Sequence, residues 1–245
     1  MSSEILLFFT STATSAVSAT LGMAGGLILL SVLTMLVGTR DAIPLHGFAQ
    51  FCSNGGRLFY LWRHIEWKIA ARFSLLVIPG GFLGIKTANV LNVNGVQLIV
   101  AVVILWFIHG PRLKAVRTPK PNFFIWLGFI SSFAGMIAGA TGPMIIPFFM
   151  NLGLEKKKLI GTKAFCQSLI HFIKIPAFVF FGNFNFAANS RLLALFAVSS
   201  FLGAWIGTKI IDRMSVNLYE KIIKWTVTLM ALRMVSQAGW ALLHH

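Results

Sequence analysis

The stretch that decides the fold is GMAGG at residues 22–26, together with its counterpart GATGP at residues 139–143. Each stretch is followed by a short apolar run, at residues 27–37 and 144–152. A helix rises about 1.5 Å per residue, so neither short run can cross a bilayer core of about 30 Å. Apolar segments broken at matching places in two halves of a chain indicate inverted repeats, with a binding site at the interruptions.

Composition places these runs in a membrane. Of the 245 residues, 57% are hydrophobic and only 11% are charged, whereas a soluble domain carries roughly 25% charged residues. Ten apolar runs follow one another, at residues 5–21, 27–37, 43–62, 69–91, 96–109, 123–138, 144–152, 159–181, 192–211 and 218–243. The sequence therefore predicts an all-α polytopic membrane protein and excludes a soluble one.

The chain also resembles itself. At an offset of 117, six of 36 residues are identical between residues 22–57 and 139–174. At an offset of 123, five of 15 are identical between residues 80–94 and 203–217. We predict two inverted five-segment repeats, each starting with a Gly-broken helical hairpin, at residues 1–110 and 123–245. A basic cytoplasmic linker at residues 111–122 joins them.

The net charge of +15 is interpreted as membrane topology rather than as a nucleic-acid interface, because basic loops stay on the cytoplasmic side. If both short regions are hairpins, 14 basic residues fall on one side, against three on the other, which are Arg40, Lys86 and Arg191. The 14 form four clusters: Arg63, Lys68, Arg72; Arg112, Lys114, Arg117, Lys120; Lys156, Lys157, Lys158; and Lys209, Arg213, Lys221, Lys224. We predict a multi-pass protein of the plasma (bacterial inner) membrane with both termini outside.

A polar stripe recurs in the two spans that follow the short runs. The first consists of residues spaced four, four and three apart, which share one helix face: His46, Gln50, Asn54 and Arg57. The second repeats that spacing 117 residues later: Lys163, Gln167, His171 and Lys174. A cation at mid-span costs roughly 2.5 to 3.5 kcal/mol unless it is paired, and the six Asp and Glu all fall at span ends or in loops. The stripes therefore predict an anion pathway.

Two of these cations also have a simpler interpretation. Arg57 is five residues from Trp62 and within reach of the cytoplasmic edge, and Lys163 is four residues into its span, which favours the interface.

The glycine breaks supply a second kind of anion ligand. Backbone N–H groups at the start of an interrupted helix, together with its dipole, bind anions, which points to Gly25, Gly26, Thr141 and Gly142. The alternative is close helix packing through small residues. For the pairs Gly80 with Gly84 and Gly203 with Gly207, packing is our prediction.

The order, spacing and duplication of these features resemble the sulfite exporter TauE/SafE family over essentially the whole chain. The resemblance rests on the two glycine breaks, the striped spans at residues 43–62 and 159–181, and the Phe-Leu-Gly stretches that end at Gly84 and Gly203. It implies a membrane transporter for small sulfur-containing anions such as sulfite or organosulfonates, commonly moving them outward. The first half departs from the family pattern, since Gly25-Gly26-Leu27 has no following proline where the second half has Pro143.

The prediction is thus a secondary transporter, an exporter of sulfite or a related organosulfonate by alternating access, with no enzymatic activity, cofactor or metal. Proton coupling would use His46 or His171, because histidine is the residue type that ordinarily titrates near neutral pH. Two alternatives stay open. One is an anion channel of the same fold, and the other is a membrane-embedded thiol enzyme that uses Cys166 and His171.

Overall fold

A computed structural model of the chain describes residues 2–22, 24–88, 90–109, 120–139 and 141–243. These residues form helices and contain no strand. The α-helices are α1 Ser2–Leu21, α2 Gly25–Leu61, α3 Trp67–Ser74, α4 Val77–Thr87, α5 Val93–His109, α6 Phe123–Ala138, α7 Gly142–Met150, α8 Lys156–Phe180, α9 Ser190–Arg213 and α10 Val216–Leu243. Most of the predicted linker, including Arg112, Lys114 and Arg117, lies outside the described residues.

The helices follow the predicted apolar runs, and the two runs that follow α1 meet without a loop between them. Residues 27–37 and 43–62, predicted as two segments, form two helical limbs that meet directly at a kink, and the two limbs together are called α2. Its backbone leaves helical geometry only at Gly38, with φ of 78° and ψ of 163°. That region of backbone space is essentially restricted to glycine. In the first half the two limbs of α2 therefore join directly at Gly38, whereas in the second half residues 151–155 separate α7 from α8.

Only some of the described helices are long and apolar enough to cross a membrane. Three windows are long and apolar enough, at Glu4–Leu21, Lys156–Phe180 and Ala187–Ile211. Counting α3 and α4 as one broken span adds a fourth, since they meet at a bend of 40°. Pro79 has no N–H to bond the carbonyl of Leu75, so the helix breaks before it. The run at residues 69–91, predicted as one continuous segment, is thus interrupted.

The outer surface is apolar and polar side chains lie in the interior, as expected for a protein surrounded by lipid. Large apolar side chains such as Phe9, Trp106 and Leu229 are 57–66% exposed on the outside. Histidine, glutamine, arginine and lysine side chains of α2 and α8 are instead buried between helices. This arrangement, apolar outside and polar inside, is that of a multi-pass membrane protein.

Helices of the first half pack mainly against helices of the second. The principal pairs are α1 with α9, α2 with α8, α2 with α9, α4 with α6, and α5 with α10. A Cβ placed on Gly80 or Gly84 of α4 would lie 2.3 or 2.6 Å from a carbonyl oxygen of α6. A Cβ placed on Gly203 or Gly207 of α9 would lie 2.2 or 2.4 Å from a carbonyl oxygen of α1. Glycine is required for these close approaches, which confirms the packing role predicted for the two pairs.

Candidate functional site

Two interrupted helices end next to each other inside the protein. The residues that follow α1 and α6, Gly22 and Gly139, have positive φ angles of 75° and 77°. Side chains are strained in that region and glycine is not, so both helices stop where the backbone can turn. The next helices, α2 and α7, begin three residues later at Gly25 and Gly142.

A small cavity lies between the two breaks. The space open to the centre of a water molecule is about 20 Å³, room for about one water. From the first half, the predicted residues that line it are Gly26, His46, Gln50 and Arg57. From the second half they are Thr141, Gly142, Gln167 and His171. Residues 84 or more positions apart, from the two halves of the chain, thus meet around one space.

The two polar stripes face each other because α2 packs against α8. Every side chain in them is at most 6% exposed. The rings of His46 and His171, one from each stripe, lie with their centroids 6.0 Å apart and nearly perpendicular. Helix periodicity places four residues on each face, and the α2–α8 contact then buries both faces against each other.

The buried cations are held by the ends of the interrupted helices. Arg57 Nη1 donates to the carbonyl of Ser18 at 3.0 Å, and Lys174 Nζ donates to that of Gly139 at 3.0 Å. Lys163 Nζ donates to the carbonyl of Gly22. The last carbonyls of a helix lack intrahelical partners and carry partial negative charge. Lys163 and Lys174 thus provide donors for the carbonyls of Gly22 and Gly139. Arg57 adds a second donor to the carbonyl of Ser18, which also accepts from the N–H of Gly22 at 2.8 Å.

The structure does not support the simpler interpretation, an interface position, that was open for Arg57 and favoured for Lys163. Arg57 is 1% exposed and Lys163 is 0% exposed. Neither side chain reaches the protein surface, and both donate instead to buried carbonyls, of Ser18 in α1 and of Gly22. The nonlocal packing of α1 supplies these acceptors, and the local sequence around each cation does not reveal them.

The two glutamines are oriented differently. Gln167 accepts from Lys163 Nζ at 2.6 Å through Oε1 and donates to Thr141 Oγ1 at 3.3 Å through Nε2. A Cβ added to Gly26 would lie only 3.0 Å from Oε1 of Gln50, so the amide of Gln50 packs against the start of α2. Both amides thus lie at the start of an interrupted helix.

Four predicted site residues do not line the cavity: Asn54, Lys163, Lys174 and Gly25. Asn54 accepts from Arg57 and donates to the carbonyl of Gln50 at 2.7 Å, so it joins two residues that do line it. Lys163 orients Gln167, and Lys174 holds the carbonyl of Gly139. Gly25 faces α1, where a Cβ would lie 1.7 Å from the carbonyl oxygen of Thr14.

Sequence reasoning missed five residues that line the cavity: Ser18, Gly22, Ala24, Leu27 and Pro143. A signal existed for two of them. The small residues Ser11, Ser15 and Ser18 of α1 and Gly22, which follows it, are spaced four, three and four apart, the spacing of one helix face. The others carry no such pattern, since they line the cavity only because the breaks fold inward.

Ala24 adopts a strained conformation at the start of α2. Its φ is 75° and its ψ −53°, a region that costs an alanine roughly 1 to 3 kcal/mol. Glycine avoids that strain but loses about 1 kcal/mol through the greater freedom of the unfolded chain. We therefore expect Ala24→Gly to stabilise the purified protein by about 1 kcal/mol, seen as a higher Tm. The matched control Ala19→Gly, in regular helix α1, is expected to lower the Tm. A lower Tm for Ala24→Gly would contradict the strain.

The remaining chemical groups do not form a second centre in the described part of the chain. Cys166 is fully buried in the hydrophobic core, and Cys52 is a buried free thiol. Among the described residues no three His, Cys, Asp or Glu are arranged to hold a metal ion. Arg233 donates to Ser31 Oγ at 3.1 Å on the exposed side of α10.

Comparison with known proteins identifies one family. Neither the curated proteins nor the solved structures include a significant match to the chain. Residues 7–234 match the sulfite exporter TauE/SafE family. The matched region includes both glycine breaks, both polar stripes and the whole cavity. The family consists of membrane transporters of small sulfur-containing anions, and this protein belongs to the sulfite exporter TauE/SafE family.

Proposed function

We propose that the protein is a secondary transporter that exports sulfite, or a related organosulfonate, by alternating access at the central cavity. The observation that carries the proposal is an excess of positive charge around a cavity formed by two helix starts. Arg57, Lys163 and Lys174 are all buried there. No described carboxylate is hydrogen-bonded to any of them. An anion is the ligand that such a site lacks.

The helix ends do not cancel this charge. Two helix N-termini each contribute about half a positive charge, and two C-termini each contribute about half a negative charge. These contributions cancel one another, so the net charge of the site comes from the three basic side chains. A monoanion or dianion enters favourably, whereas a metal cation is repelled. The structure thus supports an anion rather than a cation as cargo.

The groups that line the cavity suit a sulfur oxyanion. Its oxygens only accept hydrogen bonds, and the start of an interrupted helix presents backbone N–H donors. We assign direct contact to the N–H groups at Gly26, Thr141 and Gly142 and to the side chains of Gln50, Gln167, Arg57, His46 and His171. The supporting residues are Lys163, Lys174, Asn54 and Gly25, which hold the helix ends and orient the lining side chains.

The packing of the glycines supports a duplicated architecture. A Cβ added to Gly80 would lie 2.3 Å from the carbonyl oxygen of Phe129. A Cβ added to Gly203 would lie 2.2 Å from the carbonyl oxygen of Thr12. The glycines differ by 123 positions and their partners by 117, the same two offsets found in the sequence. One contact therefore recurs in each half with the roles of the halves exchanged. Such exchange is the basis of alternating access in transporters built from inverted repeats.

Contacts between loops support the proposed sidedness. Lys156, at the start of α8, donates to the carbonyl of Ile211 at the end of α9 at 3.1 Å. The N–H of Glu66 donates to Thr162 Oγ1 at 2.9 Å. Three of the basic clusters therefore lie at one end of the helices. We propose that this end is cytoplasmic, with both chain termini outside.

The size of the cavity favours a carrier over the two alternatives. A space for about one water is much smaller than an open pore would be. The thiol enzyme would need Cys166 at the cavity, and this residue is fully buried in the hydrophobic core. Sulfite, with four non-hydrogen atoms, enters once the glutamine side chains have moved apart.

Sulfite binding to the purified protein tests this proposal. In detergent, calorimetry is expected to show saturable binding that is tighter for sulfite than for sulfate or taurine. Gln50→Leu and Gln167→Leu remove one amide each with little change in volume. Each is expected to weaken binding by about tenfold or more, since a hydrogen bond to a charged group contributes about 1.5 to 3 kcal/mol.

The matched control is Gln237→Leu, on the exposed surface of α10, which should bind sulfite as the wild type does. Equal loss in all three variants would place the effect on the fold rather than on the cavity. No binding of any sulfur anion by folded wild-type protein would overturn the proposal.

A further inference from the structure

Two side chains that line the cavity, His46 and His171, belong to the residue type that exchanges a proton near neutral pH. They come from α2 and α8, one from each half of the chain. Their ring centroids are 6.0 Å apart at an angle of 86°. A proton or ligand held by this pair would therefore bridge the two halves, which is where alternating access requires a coupling group.

Several ring nitrogens of the pair have no hydrogen-bond partner of normal geometry. These are Nδ1 of His171 and both ring nitrogens of His46, whose ring also interacts with the backbone of Gly26. The residues are only 1% and 2% exposed. A buried polar atom without a partner costs about 1 to 3 kcal/mol, and buried histidines in packed interiors are ordinarily hydrogen-bonded. These nitrogens are thus available to a ligand that enters the cavity.

The charges that face the pair are all positive in the described structure. His171 interacts electrostatically with Lys174, Arg57 and Lys163. His46 interacts electrostatically with Lys174. Two neutral titratable groups adjoin them, Cys166 beside Lys163 and Tyr219 beside Arg57. Helices α6 and α7 contain no titratable side chain. On the other elements that pack against α2 and α8, the remaining groups are Glu4, Arg63, His64, Lys68, Arg72, Lys86, Arg191, Lys209, Asp212 and Arg213.

We propose that the His46–His171 pair takes up one proton with each anion that binds, so that the transporter carries a proton together with its substrate. The inference rests on the proposed anion site. An anion offsets the positive charge of Arg57, Lys163 and Lys174 and so favours addition of a proton to a free ring nitrogen. By linkage, the proton favours the anion to the same extent. A dianion that leaves with one proton carries a single net negative charge, which the inside-negative membrane potential drives outward.

The probe for the test is methanesulfonate, because it stays a monoanion between about pH 5.5 and about pH 8, whereas sulfite itself titrates there. Its affinity for the purified full-length protein is measured by calorimetry across this range, in two buffers of different ionisation enthalpy. Coupling to one proton predicts an affinity that rises by up to about tenfold per pH unit as the pH falls. The buffer dependence of the binding enthalpy should report close to one proton taken up per anion.

The variants locate the proton. His46→Gln and His171→Gln keep a polar group in the cavity, and at least one of them is expected to bind methanesulfonate with a flat pH profile. The control His109→Gln alters a histidine that instead contacts Thr228 Oγ1 at 2.6 Å, between α5 and α10. It should keep the wild-type profile.

The outcomes separate the two proposals. Methanesulfonate or sulfite binding with constant affinity and no proton uptake would overturn the coupling and leave the anion site standing. Proton uptake that persists in both cavity variants and in the double variant would overturn the assignment to the histidines. No binding of either anion at any pH would overturn the anion site and the coupling together.

Discussion

Arg57→Gln is expected to weaken sulfite binding by about 100-fold, which corresponds to about 3 kcal/mol. Arg57 lines the cavity and is 1% exposed. Its charge acts in a dry interior, where screening by water is weak. Glutamine keeps a hydrogen-bond donor for the Ser18 carbonyl but removes the charge. Calorimetry with sulfite measures the loss, and Arg57→Lys, which keeps the charge, is expected to recover most of it.

A matched arginine lies on the outside of the same protein. Arg233 of α10 is exposed and donates to Ser31 Oγ at 3.1 Å. Arg233→Gln makes the same chemical change away from the cavity, so its sulfite affinity should equal that of the wild type. If folded Arg57→Gln also bound sulfite with wild-type affinity, Arg57 would be a structural residue that holds α1 and nothing more.

Gly25→Ala is expected to prevent accumulation of folded protein. The added Cβ would lie 1.7 Å from the carbonyl oxygen of Thr14 and 2.5 Å from Ser18 Oγ. The first obstacle is backbone of α1, which cannot move aside without separating α1 from α2. Overpacking of this kind commonly costs 1 to 3 kcal/mol and more where backbone must shift. Yield after size-exclusion chromatography and the Tm of any folded fraction are the measurements.

Gly55→Ala provides the control on the same helix. A Cβ on Gly55 meets nothing within 4 Å, and alanine is favoured over glycine in a helix interior by about 1 kcal/mol. We expect an unchanged or slightly raised Tm. Normal yield and Tm for Gly25→Ala would show that α1 and α2 can lie further apart than the structure has them.

The helices could be predicted from the sequence because lipid requires long apolar runs and every run ends at polar residues, glycine or proline. Segment ends therefore agree at Leu21, His109 and Leu243. The exceptions involve single residues. Pro79 interrupts the predicted fourth segment, and Gly38 alone separates the two limbs of α2. Composition describes a whole window and so cannot show how one residue bends a helix.

The candidate site was predicted in part, because a helix converts spacing into a face. Gln50, Gln167, His46 and His171 share faces at intervals of three and four residues, and all of them line the cavity. The exposure expected for Lys163 was wrong because its acceptor, the carbonyl of Gly22, is 141 residues away in the chain. Backbone acceptors carry no sequence signature, since every residue has a carbonyl.

By itself, the sequence determined the family, the helical membrane character and the two polar stripes, since each follows from residue type and short-range periodicity. Only the tertiary structure decided that the stripes face each other across one small cavity, that Ser18 and Ala24 border it, and that helix ends hold the buried cations. Contacts between residues more than a hundred positions apart depend on how helices pack. That packing is a property of the whole assembled bundle, and no local segment of the chain encodes it alone.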